Sequence, residues 1–133
     1  MTTQNISFFS LASDRMNWLS ARQKVTSENV ANANTPNFKA RDVVSFADLL
    51  DGSRNGGVRL ATTHAGHVGG LGRGQSPVAE VTDRNATVST LDGNSVDLEE
   101  QAMRSAETAD QYRLAADLYR KGFEMLGLAV RKR

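Results

Sequence analysis

From Ala102 to Val130, small and apolar residues recur at alternating steps of three and four: Ala102, Ser105, Ala109, Tyr112, Ala116, Tyr119, Phe123, Leu126 and Val130. Unbroken spacing of this kind runs as a stripe along one side of a long helix and favours a coiled-coil-like partner. Asp97 is a good residue to begin such a helix, Glu100 stands three places on as in a capping box, and Glu99 adds first-turn negative charge. At the far end Arg131-Lys-Arg133 puts positive charge where the helix dipole favours it. The stripe starts small and ends bulky, so its first half is expected in a crowded setting.

A second helical pattern covers about Ser7 to Asn32. Phe9, Ala12, Met16, Leu19, Gln23, Thr26 and Val30 follow the same alternation, turning polar at Gln23 and Thr26. Phe8, Leu11, Trp18 and Val25 lie beside or off that line. A helix apolar on more than one face meets more than one neighbour, which fits either a buried helix of a small bundle or a helix shared between chains. The pattern ends in Asn29-Val-Ala-Asn-Ala-Asn-Thr-Pro-Asn-Phe-Lys-Ala-Arg-Asp42. Pro36 has no amide donor and turns Thr35 away from helical angles, so a stop is predicted near Asn32 to Asn34 and an extended segment after it. The same residues fit an ordinary helix stop and turn.

The middle of the chain builds little. Nine of the eleven glycines lie between Gly52 and Gly93, and only 6% of all residues are aromatic. Five glycines between Gly66 and Gly74 cost backbone entropy that few side chains there repay. Val43 to Leu50 holds one helical turn, capped by Ser45 or Asp42, with Phe46, Leu49 and Leu50 on one side. One or two short strands between Pro77 and Leu91 and a turn at Asp92-Gly93 complete the reading. The predicted fold is mainly α: residues 1–34 and 97–133 form a coiled-coil-like pair of long terminal helices, joined through 35–96, a glycine-rich region with little β-structure. Two such helices alone bury too little to be stable, so burial against other chains is expected.

Chemistry is hard to place on this sequence. His64 and His67 are the only histidines and have no cysteine or carboxylate beside them to complete a zinc site. Gly69-Gly-Leu-Gly-Arg-Gly74 lacks the Lys-Ser/Thr that follows in a phosphate-binding loop. Ser, His and Asp show no triad spacing. No catalytic residue, cofactor, metal or small-molecule substrate is predicted. A formal charge of +1 argues against nucleic acid as partner. No stretch reaches the ~18 apolar residues of a membrane span, and the first residues lack the features of a cleaved secretory signal.

The stretch Asn29-Val-Ala-Asn-Ala-Asn-Thr-Pro-Asn-Phe-Lys is similar to the N-terminal signature of the bacterial flagellar rod, hook and hook-associated proteins. Lys39-Ala-Arg-Asp-Val43 with Phe46, the ending Leu91-Asp-Gly-Asn-Ser-Val-Asp-Leu-Glu-Glu100, and the helix with Tyr112 and Phe123-Glu-Met-Leu126 resemble the proximal rod members of that family. So does the short length. The shared positions are Asn29, Val30, Ala31, Asn32, Thr35, Pro36, Phe38 and Lys39. Asn37 stands where glycine is usual, and asparagine tolerates positive φ; Phe38 stands where tyrosine is usual.

The resemblance implies a structural, non-catalytic subunit of the periplasm-spanning rod of the flagellar basal body, stacked helically around the export channel. It implies export through the flagellar type III apparatus without a cleaved signal peptide. The implied partners are further copies of the chain, other rod proteins, export-gate and rod-base adaptor proteins, and the membrane-embedded ring. The assembly seam expected on this reading comprises Phe9, Met16, Leu19 and Val30 with Ala109, Tyr112, Ala116, Tyr119, Phe123, Leu126 and Val130. The alternative is a cytoplasmic helical adaptor dimerising through its C-terminal heptad seam.

Overall fold

The computed structural model describes residues 3–54, 78–84, 86 and 90–131, the side chains of 3–7 and 52–54 aside. The glycine-rich stretch 55–77, with His64, His67 and Gly69 to Gly74, lies outside the described residues. Five elements follow in order: α1 (Thr3–Ala31), β1 (Arg41–Val43), α2 (Phe46–Arg54), β2 (Glu80–Thr82) and α3 (Leu98–Arg131). The fold is mainly helical, with long terminal helices and little strand.

The two long helices lie antiparallel. Arg15 bonds Gln111, Gln23 bonds Ser105 and Asn29 bonds Gln101, so one sequence rises as the other falls. At the open end, Phe8 and Phe9 close over Gly122, where a Cβ would stand 3.0–3.1 Å from their rings. Phe9 also stacks against Tyr119 and Phe123, with ring centroids 5.1 and 4.7 Å away.

The apolar core is somewhere else. Trp18, Leu19 and Val25 of α1 pack with Val43 of β1, and Phe46, Leu49 and Val78 cover them. Burial was expected from the two ends of the chain, yet the middle segment supplies half of this core. Helix α2, Phe46–Arg54, is longer than the predicted single turn, and its first turn docks on α1. Ser45 caps it: its hydroxyl oxygen accepts from the Asp48 N–H at 3.1 Å while its O–H donates to the Asp48 carboxylate at 2.7 Å. Phe46 and Leu49 thereby face α1. The Trp18 indole N–H reaches the Val44 carbonyl at 2.7 Å, and the Arg15 guanidinium covers both Trp18 and Phe46. A helix with two apolar faces has found two neighbours, α3 on one side and the β1–α2 segment on the other.

Strands β1 and β2 form a two-stranded antiparallel ribbon with Asp42 opposite Val81. Arg41 bridges it with ion pairs to Glu80 and to Glu28 of α1. At the start of α3 the Asp97 carboxylate accepts the N–H groups of Glu99 and Glu100. The reciprocal half of a capping box is missing, because the Glu100 side chain turns forward to pair with Arg104.

Candidate assembly joint and helix faces

Helix α1 ends at Ala31 and the chain turns through Asn32 to Asn37. The turn is made in three hydrogen-bonded steps: Ala33 N–H to Val30, Thr35 N–H to Asn32, and Phe38 N–H to Thr35. Asn37 alone among the described non-glycine residues takes a positive φ, 59°, the conformation that asparagine was expected to carry there. The left-handed residue thus sits immediately after the proline.

Two asparagines of the motif are used differently. Asn29 is fully buried. Its carboxamide oxygen accepts the Arg41 N–H at 3.0 Å and its amide donates to the Arg41 carbonyl at 2.7 Å and to Gln101 of α3 at 3.0 Å. The side chain therefore stands in for a neighbouring strand along β1 and ties it to both long helices. Asn32 works locally, donating to the Glu28 carbonyl and accepting from the Thr35 hydroxyl.

A residue that sequence reasoning did not single out completes the joint. The amide of Asn94 reaches the carbonyls of Asn32, Ala33 and Thr35 at 2.8–2.9 Å, and its oxygen accepts the Val96 N–H at 2.8 Å. It closes the carboxyl end of α1, where helix carbonyls otherwise lack partners. The flanking segments lace together: Asn37 N–H to Asp92, Ser95 N–H to Phe38, Ala40 N–H to the Ser95 hydroxyl, and Lys39 Nζ to Gly93 at 2.7 Å. Gly93 has φ 78°, and a Cβ there would meet the Asn37 side-chain oxygen at 2.7 Å, so any other residue would be strained and would displace the Asn37 side chain. Hydrogen bonds from the Thr90 hydroxyl and from the Asn94 backbone hold the Asp92 carboxyl below its ordinary pKa.

A partly buried charge cluster lies behind the joint. Arg104 of α3 pairs with Asp42, Asp83 and Glu100, and Arg22 of α1 reaches Asp42. Burial by itself would lower the Arg104 guanidinium, but hydrogen bonding and charge from Asp83, with Glu100 and Asp42, raise it above its usual value. Arg15 shifts the other way, lowered by burial and by the nearby charge of Arg22.

Along α3 the line facing α1 is Gln101, Thr108, Ala115 and Gly122, spaced by seven. It runs one residue ahead of Ala102, Ala109, Ala116 and Phe123, while Tyr119 and Leu126 are half-buried at its edge. Ala109, Tyr112, Phe123 and Val130 stay exposed, Ala116 is half-buried, and on α1 Leu19 is buried, Phe9 and Met16 half-buried and Val30 exposed. Of the motif residues, Ala31, Thr35, Pro36 and Lys39 are exposed and Phe38 is half-buried. The contact line itself is polar. The Thr108 hydroxyl and the Gln101 amide have buried atoms with no hydrogen-bond partner among the described residues. A seven-residue recurrence of small and polar side chains was present in the sequence, but apolar residues one place along outweighed it. Among the described residues no group of three metal-ligating side chains converges, and no helix is long and apolar enough to cross a membrane.

This joint falls where a family model matches. Residues 10–39 fit the family described as flagella basal body rod protein. The flagellar basal body rod protein FlgB of Agrobacterium fabrum (strain C58) is 34% identical over 130 residues, covering 97% of this chain and 96% of that protein. The protein of the same name from Cereibacter sphaeroides is 34% identical over 110 residues, 83% of each chain. That of Salmonella typhimurium (strain LT2) is 30% identical over 107 residues, 76% of each.

Proposed function

The chain belongs to the family of flagellar basal body rod proteins named FlgB, and from that premise we infer how it serves as a structural subunit of the proximal rod. The observation that carries the reading is similarity along 97% of the chain, both long helices and the joint included. Its association with other components of the basal body follows from the family. The mechanism is mechanical: α1 and α3 pack between neighbouring subunits, and the Thr35-Pro36 turn, locked by Asn94, sends the chain back along α1 so that the β1–α2 segment covers its second face. The side chains of Tyr112, Phe123 and Val130 support this, since they are apolar and stay exposed in the described chain, Phe123 even with Phe9 against its ring.

The finer assignment rests on the family resemblance. The partners are further copies of this chain, other rod proteins, export-gate and rod-base adaptor proteins, and the membrane-embedded ring. The subunit reaches the periplasm-spanning rod through the flagellar type III apparatus without loss of a signal peptide. A stop codon in place of Phe123 leaves α1, the joint and most of α3. In such a strain the protein is expected at normal level, with electron microscopy of basal bodies showing rings that lack a rod, and motility lost. Normal swimming of that strain would overturn the assignment.

A further inference from the structure

Helix α3 has two apolar flanks, one on each side of its contact with α1. At about 100° per residue, Tyr112, Phe123 and Val130 lie roughly 60–90° to one side of the Ala115–Gly122 line, while Leu114, Leu118 and Met125 lie at a similar angle on the other. Leu128 extends the second flank further round. Leu114, Met125 and Leu128 are 62–67% exposed and Leu118 47%, values unusual for such side chains on a helix that is otherwise packed. The first flank is aromatic and continuous with Phe9 of α1. The second is aliphatic and has no counterpart among the apolar residues that the heptad reading picked out.

The charges beyond the flanks differ in sign. Arg113, Arg120 and Arg131 border the aromatic flank, and Glu107, Asp110 and Asp117 border the aliphatic one, where Lys121 is the exception. Arg113 pairs with Asp110 and Arg120 with Asp117 across the back of the helix, but both pairs are exposed. Pairs of that kind are weak enough to exchange partners when another chain approaches.

We propose that the aromatic flank of α3 in one copy packs on the aliphatic flank of α3 in the next, a head-to-tail contact between copies of this chain. Opposite rims face each other in that arrangement. Flank-to-same-flank pairing, as in a two-fold dimer, sets arginines against arginines or acids against acids. A contact between unlike surfaces does not close on itself and continues as a ring or a helix. The inference rests on the rod-subunit reading and adds to it which face meets which.

The chain has no cysteine, so introduced thiols report cleanly. Two tagged copies are co-expressed in a strain lacking the native gene, one carrying Val130→Cys or Tyr112→Cys and the other Leu118→Cys or Leu114→Cys. None of these positions lies on the α1 contact line, and swimming of each strain reports an intact rod. Purified basal bodies are treated with a short bismaleimide. At least one mixed pair is expected to give a cross-linked dimer several-fold above either variant paired with itself. Equal or stronger same-flank products, or no mixed product from basal bodies that contain both copies, would overturn the head-to-tail contact. Absence of the chain from basal bodies would instead overturn the rod assignment and the contact with it.

Discussion

At the scale of single residues the joint depends on side chains that carry a donor and an acceptor on one short stem. Asn29 meets both the N–H and the C=O of Arg41, which a leucine cannot do and an aspartate can do only in part. Asn94 supplies donors to three carbonyls from 59 to 62 residues away. Replacing it by alanine leaves those carbonyls at the end of α1 without their partner, although water has access near the exposed turn. Asn94→Ala is expected to cost about 2 kcal/mol, the range for losing buried hydrogen bonds with partial rescue by solvent. The measurement is the shift in urea midpoint of the purified chain at unchanged slope. A shift within experimental error would show that the turn holds without it. The sequence around Asn94 reads as a plain turn because none of its carbonyl partners is local. Asn37 and Gly93 were more legible, since positive φ is a property of the residue and its immediate neighbours.

At the scale of elements, caps and stops behaved as local chemistry dictates. Pro36 ended α1 within a few residues of the predicted point, Ser45 began α2 and Asp97 began α3. What pins the elements to one another is the charge cluster. The Arg104 side chain is only 12% exposed and joins α3 to the strand ribbon through Asp42 and Asp83. Arg104→Met keeps the length and apolar stem but strips the guanidinium from three carboxylates, Asp42, Asp83 and Glu100. The expected loss is about 2 kcal/mol, below the ~3–5 kcal/mol of a fully buried pair because Asp42 and Glu100 remain partly in water. Thermal melts of Arg104→Met, Asp42→Asn and the double variant test it. The double variant is expected to be less destabilised than the sum of the two, and strict additivity would refute a shared network. Arginine and aspartate at these positions look like ordinary solvated charges in the sequence, and only their convergence gives them this role.

At the scale of the whole molecule, stability is unevenly placed. The core lies between α1 and the β1–α2 segment, and the joint adds a dense set of hydrogen bonds beside it. The contact between the long helices carries glutamine, threonine and glycine where a self-sufficient coiled coil carries leucine and isoleucine. Hydrogen exchange on the free chain should therefore show amides of residues 116–131 exchanging at least tens-fold faster than those of 38–43. Uniform protection along α3 would mean that the helix pair is stable by itself and has no need of neighbours. The mainly helical fold and its two long terminal helices were legible as patterns of spacing, whereas their antiparallel direction is set by the tertiary contacts. The share of the core taken by the middle segment was not legible, because Val43, Phe46, Leu49 and Val78 gain their burial only by docking on α1, which no local pattern records.

The amino-acid sequence alone determined where α1 stops, where α2 and α3 start, and that the chain exposes more apolar helix surface than it can cover. Those outcomes depend on contacts within about four residues, which are written in order along the chain. Only the tertiary structure decided which face of α3 meets α1. The sequence offers two adjacent lines one residue apart, and the apolar one appeared the stronger. Inside the folded chain Phe8 and Phe9 need the space that Gly122 leaves, and Asn29 needs Gln101, so the small and polar line turns inward. The bulky residues beside it are left facing outward, free to pack against other chains.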